Sequence, residues 1–307
     1  MTVVPCRQFL GVAVRRPPRF PNPTRRPGER AALWAVMRAL VFLAASLFVF
    51  FPLSADAAPT LCRPGMVMRD GRVIPLAMPF SLAQNRAPEP RSVKLRYVAH
   101  SSFLITGPEG GRLLTDPYAN PPVVPVPDAV TVSNFHMTHS QTGPYEGKTE
   151  ILYGLNRDGG PAVLDRVFKG VRVTNFAQVP DGGGSVVNTL FVFQAEGLCI
   201  AHFGNMRFGP SPQQFAALGK VHVLMIPIDG MGNVPHEIAA QVVKRVGPNI
   251  VIPMHYFGPE LPAQFAAALR IGGIARMERA PSAEIELSLR RMPRPTVYLV
   301  MPSEEIP

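Results

Sequence analysis

The stretch VHVLMIPI, residues 221–228, has a single polar side chain, His222, in eight positions. A strand this apolar has no face to give to water, so it must be covered on both sides. Residues 235–246, PHEIAAQVVKRV, follow with Ile238, Val242, Val243 and Val246 on one helical stripe. Residues 249–254, NIVIPM, form a second buried strand, and residues 262–270 a further helix. A short helix is expected at 211–218, with Ser211 as cap and Pro212 at its first position. Strands alternating with helices in this way place a sheet under an outer helical layer.

Upstream the rhythm differs. Residues 94–98 alternate, 102–106 and 112–115 follow, and Pro108-Glu109-Gly110-Gly111 turns the chain between the last two. These three strands read as an antiparallel meander. Further strands are expected at 128–132, 163–168, 171–176, 187–193 and 198–202, with turns at Lys169-Gly170, Asp181 to Gly184 and Glu196-Gly197. A meander followed by strand–helix units gives mixed sheets within one α/β domain, and residues 92–307 are long enough to bury its core.

Residues 39–53 form an uncharged apolar run behind Arg38, and Ala55-Asp56-Ala57 follows with the small-x-small pattern of a signal-peptidase site. Residues 37–57 are therefore expected to be a secretory signal cut after Ala57, or an uncleaved anchor, which would be the chain's only membrane contact. Residues 1–36, rich in Arg and Pro and without apolar period, are expected to lie upstream of a true start at Met37. Residues 58–91 read as an extension laid over the domain. The expected location is periplasmic or extracellular, where Cys62 and Cys199 could pair. The formal net charge of +10 does not imply nucleic-acid binding. Residues 1–57 hold eight arginines against Glu29 and Asp56 and so carry +6 of it.

The chain has seven histidines, and several stand at strand ends: His100 between two strands, His136 and His139 after one, His202 at the end of one, His255 after 249–254. Ligand sites in open α/β sheets gather just beyond such ends. Asn134 to His139, NFHMTH, spaces two histidines three apart without any acidic residue.

In order along the chain, Tyr97 to Ile105 (YVAHSSFLI), Leu114 to Tyr118 (LTDPY), Pro127 to Val130, Asn188 to Val192, Ile200 to Asn205 and Ile252 to Tyr256 resemble the blocks of metallo-β-lactamase-fold hydrolases. The ascorbate-phosphate-lactonase-like branch is the most similar. The resemblance implies a four-layer αββα sandwich with two zinc ions at one edge of the sheets. Carried over by position, the signature His-x-His-x-Asp-His falls on Asn134, His136, Thr138 and His139. The bridging aspartate falls on Asn205, the terminal histidine on His255, and a missing histidine on the segment around Gln178 and Asp181. The resemblance thus leaves His136, His139 and His255 as metal ligands. Asn134, Thr138, Asn205 and Asp181 stand at positions of catalytic or ligating groups, and His100, Asp116 and His202 support the ligands from behind.

Asn and Thr are poor zinc ligands, and two dications without an anionic bridge repel. One ion at most is expected, zinc or another divalent transition metal, held by three histidines that serve two different metals in the family. Asp181 and Asp229 are substitute carboxylates or simple turn residues. Arg207 adds positive charge if it faces the site and none if it points to solvent. Met206, Met225, Met231 and Met254 line a hydrophobic pocket or fill the core. Two functions follow. One is an exported mononuclear hydrolase of an ester, lactone, amide or phosphodiester bond in a small-molecule substrate. The other is an inactive member in which Asn134, Thr138, Gln178 and Asn205 form a neutral cluster and the cleft only binds.

Overall fold

The computed structural model describes residues 91–118, 125–178, 180 and 185–302, with Cys62 and two short strands ahead of them. The chain divides into two compact units, 1–56 and 57–307, and every described residue belongs to the second. The leader, the signal segment, most of the 58–91 extension and Asp181 lie outside the described residues. In chain order the strands are β1 (Met66–Arg69), β2 (Arg72–Pro75), β3 (Val93–Ala99), β4 (Ser102–Thr106), β5 (Arg112–Thr115), β6 (Ala129–Val132), β7 (Glu150–Tyr153) and β8 (Asp165–Phe168). Then come β9 (Val171–Gln178), β10 (Asn188–Ala195), β11 (Leu198–His202), β12 (Val223–Pro227), β13 (Ile250–Met254), β14 (Met277–Arg279), β15 (Glu284–Leu287) and β16 (Val297–Val300). The helices are α1 (Pro212–Leu218), α2 (His236–Val246) and α3 (Glu260–Ile271).

Two sheets face one another. The smaller runs β15-β3-β4-β5-β6-β7 and the larger β14-β16-β13-β12-β11-β10-β9-β8, while β1 and β2 pair separately. The expected meander holds for β3–β4–β5, after which β6 and β7 join in parallel. In the larger sheet β8 to β11 are antiparallel, and β11, β12, β13 and β16 are parallel.

The side-chain period of two sorts each central strand between two cores. Phe191 and Phe193 of β10, Leu198 and Ile200 of β11, Val223 and Met225 of β12, and Ile250, Ile252 and Met254 of β13 point at the smaller sheet and meet Leu95, Phe103, Ile105 and Leu113. Their neighbours Leu190, Val192, Ala201, Leu224, Ile226 and Val251 point outward, under Ala239 and Val243 of α2 and Phe265 and Leu269 of α3. This double coverage is why these strands read as continuous apolar runs. The outer face of the smaller sheet buries Val98, Leu104, Leu114, Val130 and Val132 beneath Tyr145. That tyrosine ends a 3-10 turn, Gly143–Tyr145.

Some expectations shift. The buried stripe of α2 runs through Ala239, Ala240, Val242 and Val243, and Ile238 is 38 % exposed. Met206, Met225 and Met254 are wholly buried core residues, whereas Met231 is 95 % exposed. Ser211 caps α1 as expected, its Oγ accepting from the Gln214 N–H while the Gln214 side chain accepts from Ser211 N–H. Cys62 is bonded to Cys199, and its N–H donates to the Leu218 carbonyl at 2.8 Å, which fastens that residue beside β11.

Candidate metal centre

Several strand ends meet along one edge of the sandwich. His100 is the first residue of the two-residue connection between β3 and β4, Asp116 follows β5, and His139 sits in the loop after β6. Asp229 follows β12 and His255 follows β13. The His255 N–H donates to the His100 carbonyl at 2.8 Å, and that same carbonyl accepts from the Tyr97 hydroxyl at 3.0 Å. His202 has the parity of Leu198 and Ile200, so its ring points between the sheets. Its Nε2 lies 2.9 Å from the Ser101 carbonyl, and its Nδ1 accepts from the Gly204 N–H. Both its nitrogens are committed to backbone, which makes it a brace between the sheets.

Asp116 fixes His139. The carboxylate is wholly buried and accepts from the Ser133 N–H (2.7 Å), the Ser133 hydroxyl (2.6 Å) and His139 Nδ1 (2.7 Å). Burial works to raise its pKa, but the His139 ring and these donors outweigh that and hold it below the usual carboxylate value. An ionised carboxylate at Nδ1 puts the imidazole proton there and leaves the lone pair on Nε2. His255 repeats the arrangement. Its Nδ1 lies 3.0 Å from Asp229 Oδ2, and Asp229 Oδ1 accepts from Asn233 Nδ2 at 2.8 Å. Asp229 too is held well below its ordinary pKa, burial being overcome by the donors on His255 and Asn233.

The two freed nitrogens then face each other. His139 Nε2 and His255 Nε2 are 3.0 Å apart, with the rings stacked at 5.0 Å and 19°. Two lone pairs at that distance repel unless a positive charge is shared between them. His100 stands beside them, its ring 4.0 Å from His255 and 5.7 Å from His139. Both of its nitrogens are buried and neither has a hydrogen-bond partner. Burial, and then the neighbouring His255 and His139, push its pKa down to about 3, so the ring is neutral. Each of the three rings offers one nitrogen, all within 4.8 Å of one another. Two nitrogens on one tetrahedral zinc stand about 3.3 Å apart, close to the spacing of His139 and His255. Three neutral imidazoles backed by two carboxylates therefore fit one divalent ion of the zinc class.

The backbone carries a matching sign. His100 (φ 52°), Asp116 (φ 35°) and His255 (φ 59°) are non-glycine residues in the left-handed region. Among the described residues only Lys169 and Glu196 share it, each followed by glycine in a hairpin turn. Strain of this kind is kept where surrounding contacts over-determine it, commonly at functional sites.

Other residues singled out by sequence lie around this centre. His136 is exposed, its ring 6.3 Å from His139, with Nδ1 2.9 Å from Thr138 Oγ1. Its pKa is lowered, first by burial and then by neighbouring groups that include Arg207, whose own side chain is exposed. Asn134 is buried. Its Oδ1 accepts the His136 N–H and shapes the loop, while its Nδ2 has no partner. Gln178 donates to the Phe208 carbonyl and accepts from Asn188, and Asn188 Oδ1 accepts the Asn205 N–H. Gln178 and Asn205 thus share a neutral network through Asn188, while Asn134 and Thr138 bond to His136. The structure centres the histidine cluster on His100 rather than His136, and the residue types alone could not rank the two.

Comparison with known proteins places the family and the fold. A family profile described as a beta-lactamase superfamily domain matches residues 94–255, a span that ends on His255. A UPF0173 metal-dependent hydrolase of Pyrococcus abyssi is 28% identical over 193 residues, covering 53% of this chain and 84% of its own. A UPF0173 metal-dependent hydrolase of Thermococcus kodakarensis is 25% identical with the same coverage. A crystal structure of a metallo-β-lactamase superfamily protein from Thermotoga maritima superposes with a TM-score of 0.53 at 22% identity, covering 68% of this chain and 98% of that one. That superposition establishes the two-sheet fold.

Proposed function

We propose that this chain, which belongs to the beta-lactamase superfamily, is a metal-dependent hydrolase with one divalent ion held by His100, His139 and His255. The observation that carries the proposal is the 3.0 Å approach of His139 Nε2 to His255 Nε2, with each Nδ1 tied to a carboxylate. The names of the Pyrococcus and Thermococcus relatives support the reaction class. Zinc is the first choice of ion, since three histidines with an open fourth position make a catalytic zinc set. When bound, such an ion supplies Lewis acidity to a scissile carbonyl or phosphoryl group and to water.

The chain's own residues supply the rest. Asp116 and Asp229 orient His139 and His255 and hold their Nδ1 protons. They also bring two negative charges behind the histidines, which would offset the charge of a bound ion. Ser133, through two hydrogen bonds to Asp116, keeps that carboxylate ionised and in place. The bond cleaved is an ester, lactone, amide or phosphodiester of a small molecule. Export is part of the proposal, and the Cys62–Cys199 disulfide supports it. A second reading, binding without turnover, draws on the neutral network in which Asn188 links Gln178 and Asn205, the two residues that the resemblance sets at or near ligand positions.

The test is turnover of representative esters, lactones, amides and phosphodiesters by protein stripped with chelator and reloaded with zinc, manganese or cobalt. Activity that requires the ion and disappears in His139→Ala supports hydrolysis. Stoichiometric ion without turnover of any substrate supports binding alone, and no bound ion contradicts both the site and the reaction.

A further inference from the structure

The described surface leaves several large apolar side chains in water, and four of them lie on loops that carry residues of the histidine centre. Phe135 and Met137 are 49 % and 68 % exposed in the loop that carries His139. Met231 is 95 % exposed in the loop that carries Asp229 and Asn233, and its N–H reaches Asp229 Oδ1 at 3.3 Å. Phe257 is 62 % exposed two residues after His255, its ring stacked on His100 at 5.1 Å and 21°. Tyr118 lies against the same imidazole at 5.0 Å, and Phe135 lies 5.8 Å from Tyr153. Three of the five connections that build the centre, those carrying His139, Asp229 and His255, thus also present an outward apolar side chain.

These residues had interior alternatives. Met206, Met225 and Met254 are buried completely, and Met277 on the edge strand β14 is 43 % exposed, well short of Met231 at 95 %. Leaving four large apolar groups exposed on the loops that carry the centre forgoes that burial and calls for a partner surface. Phe257 identifies the occupant. It touches His100, one of the three clustered histidines, so a molecule lying on Phe257 lies at the histidine cluster itself. A substrate reacting there places its non-reacting part on this rim.

Resting on the hydrolase reading above, we infer that the substrate carries an apolar acyl or aryl group beside its scissile bond, seated on Phe257, Met231, Phe135 and Met137. Apolar contact with an open rim yields roughly half the effect of full burial, about two-fold in affinity per methylene against about four-fold. Binding energy gathered there holds the scissile group at the three histidines, so it acts through kcat/KM.

The experiment is a chain-length series of p-nitrophenyl alkanoates, acetate to decanoate, with zinc-loaded protein. The slope of log kcat/KM against chain length is expected to be positive, near two-fold per methylene, and to fall by at least half in Met231→Ser and in Phe257→Ser. Circular dichroism checks that both variants fold, Phe257→Ser losing its ring contact with His100, and the slope is a ratio within each variant that is insensitive to loading. Turnover with a flat slope overturns the inference and leaves the hydrolase reading standing. If no ester is turned over, octanoate titrated calorimetrically into the zinc-loaded protein decides. Binding that weakens in both variants supports the apolar seat, and binding that is absent or unchanged in them overturns it. Sedimentation and pelleting with phosphatidylcholine vesicles complete the test. A dimer or vesicle association abolished by Met231→Ser assigns the rim to a second copy or a lipid surface, and either overturns the inference.

Discussion

At the level of single residues the centre depends on where protons sit. Asp116 and Asp229 hold the Nδ1 protons of His139 and His255, and the Nε2 lone pairs follow from that. Asp116→Asn preserves shape but removes the charge that makes Nε2 a strong donor. Zinc affinity is expected to fall about 10- to 100-fold, read by competition with a chelating dye, with circular dichroism confirming an unchanged fold. An affinity equal to that of the parent would mean that Asp116 is only a packing group. At this scale the sequence was partly legible. His139 and His255 stand out because they fall on ligand positions of the resembling motif blocks at strand ends, and Asp229 could be weighed as a carboxylate near the site. The position of His100 was not legible. It depends on a tight β3–β4 connection with φ at 52°, which turns the ring toward His255, and nothing in YVAHSSF specifies that torsion.

Among the elements, the strands that bury both faces were the most readable, because a continuous apolar run has few other homes. The observed β12 and β13 fall inside residues 221–228 and 249–254. The strands that sequence missed are β1, β2, β7, β14, β15 and β16. Met277–Arg279 is exposed along its whole length and carries no period, and Glu284–Leu287 alternates charged and apolar residues over only four positions, too short a run to stand out. They are strands because neighbouring backbones offer hydrogen bonds, β15 to β3 and β14 to β16. Gly204, just after β11, shows how closely the elements approach at the site. Its φ is 53°, and a Cβ there would stand 2.5 Å from Ser133 Cβ and 2.6 Å from Asn188 Oδ1. Gly204→Ala is expected to cost about 1–3 kcal/mol from the backbone alone, measured by urea unfolding, and to displace Ser133, the donor to Asp116. Parent-like stability and zinc affinity in that variant would contradict this packing.

For the whole molecule two features set stability. The Cys62–Cys199 bond closes a separation of 137 residues. By loop-closure entropy its loss in Cys62→Ser is expected to lower unfolding stability by about 3–5 kcal/mol, read from denaturant midpoints with and without reductant. Reductant should leave the variant's own midpoint unchanged. Acid should act as well. His100 and His222 are held neutral, at about 3 and about 4 against an ordinary 6.5, mainly by burial, and burial lowers His202 too. The unfolded chain therefore takes up protons from pH 6.5 downward while the fold does not, and stability falls as the pH drops toward 3. Asp116 and Asp229, lowered below 3.8, add stability that is present above that pH and is lost on further acidification. Metal-free protein is expected to show a lower urea midpoint at pH 4.5 than at pH 7.5, and equal midpoints would contradict the buried neutral histidines. All of this serves one claim, that a single divalent ion belongs among His100, His139 and His255. The most direct measurement is an anomalous difference map at the zinc edge from crystals of zinc-loaded protein. One peak in contact with nitrogens of those three histidines is the predicted result. Two peaks, a peak held by His136 in place of His100, or no peak at millimolar zinc would contradict it.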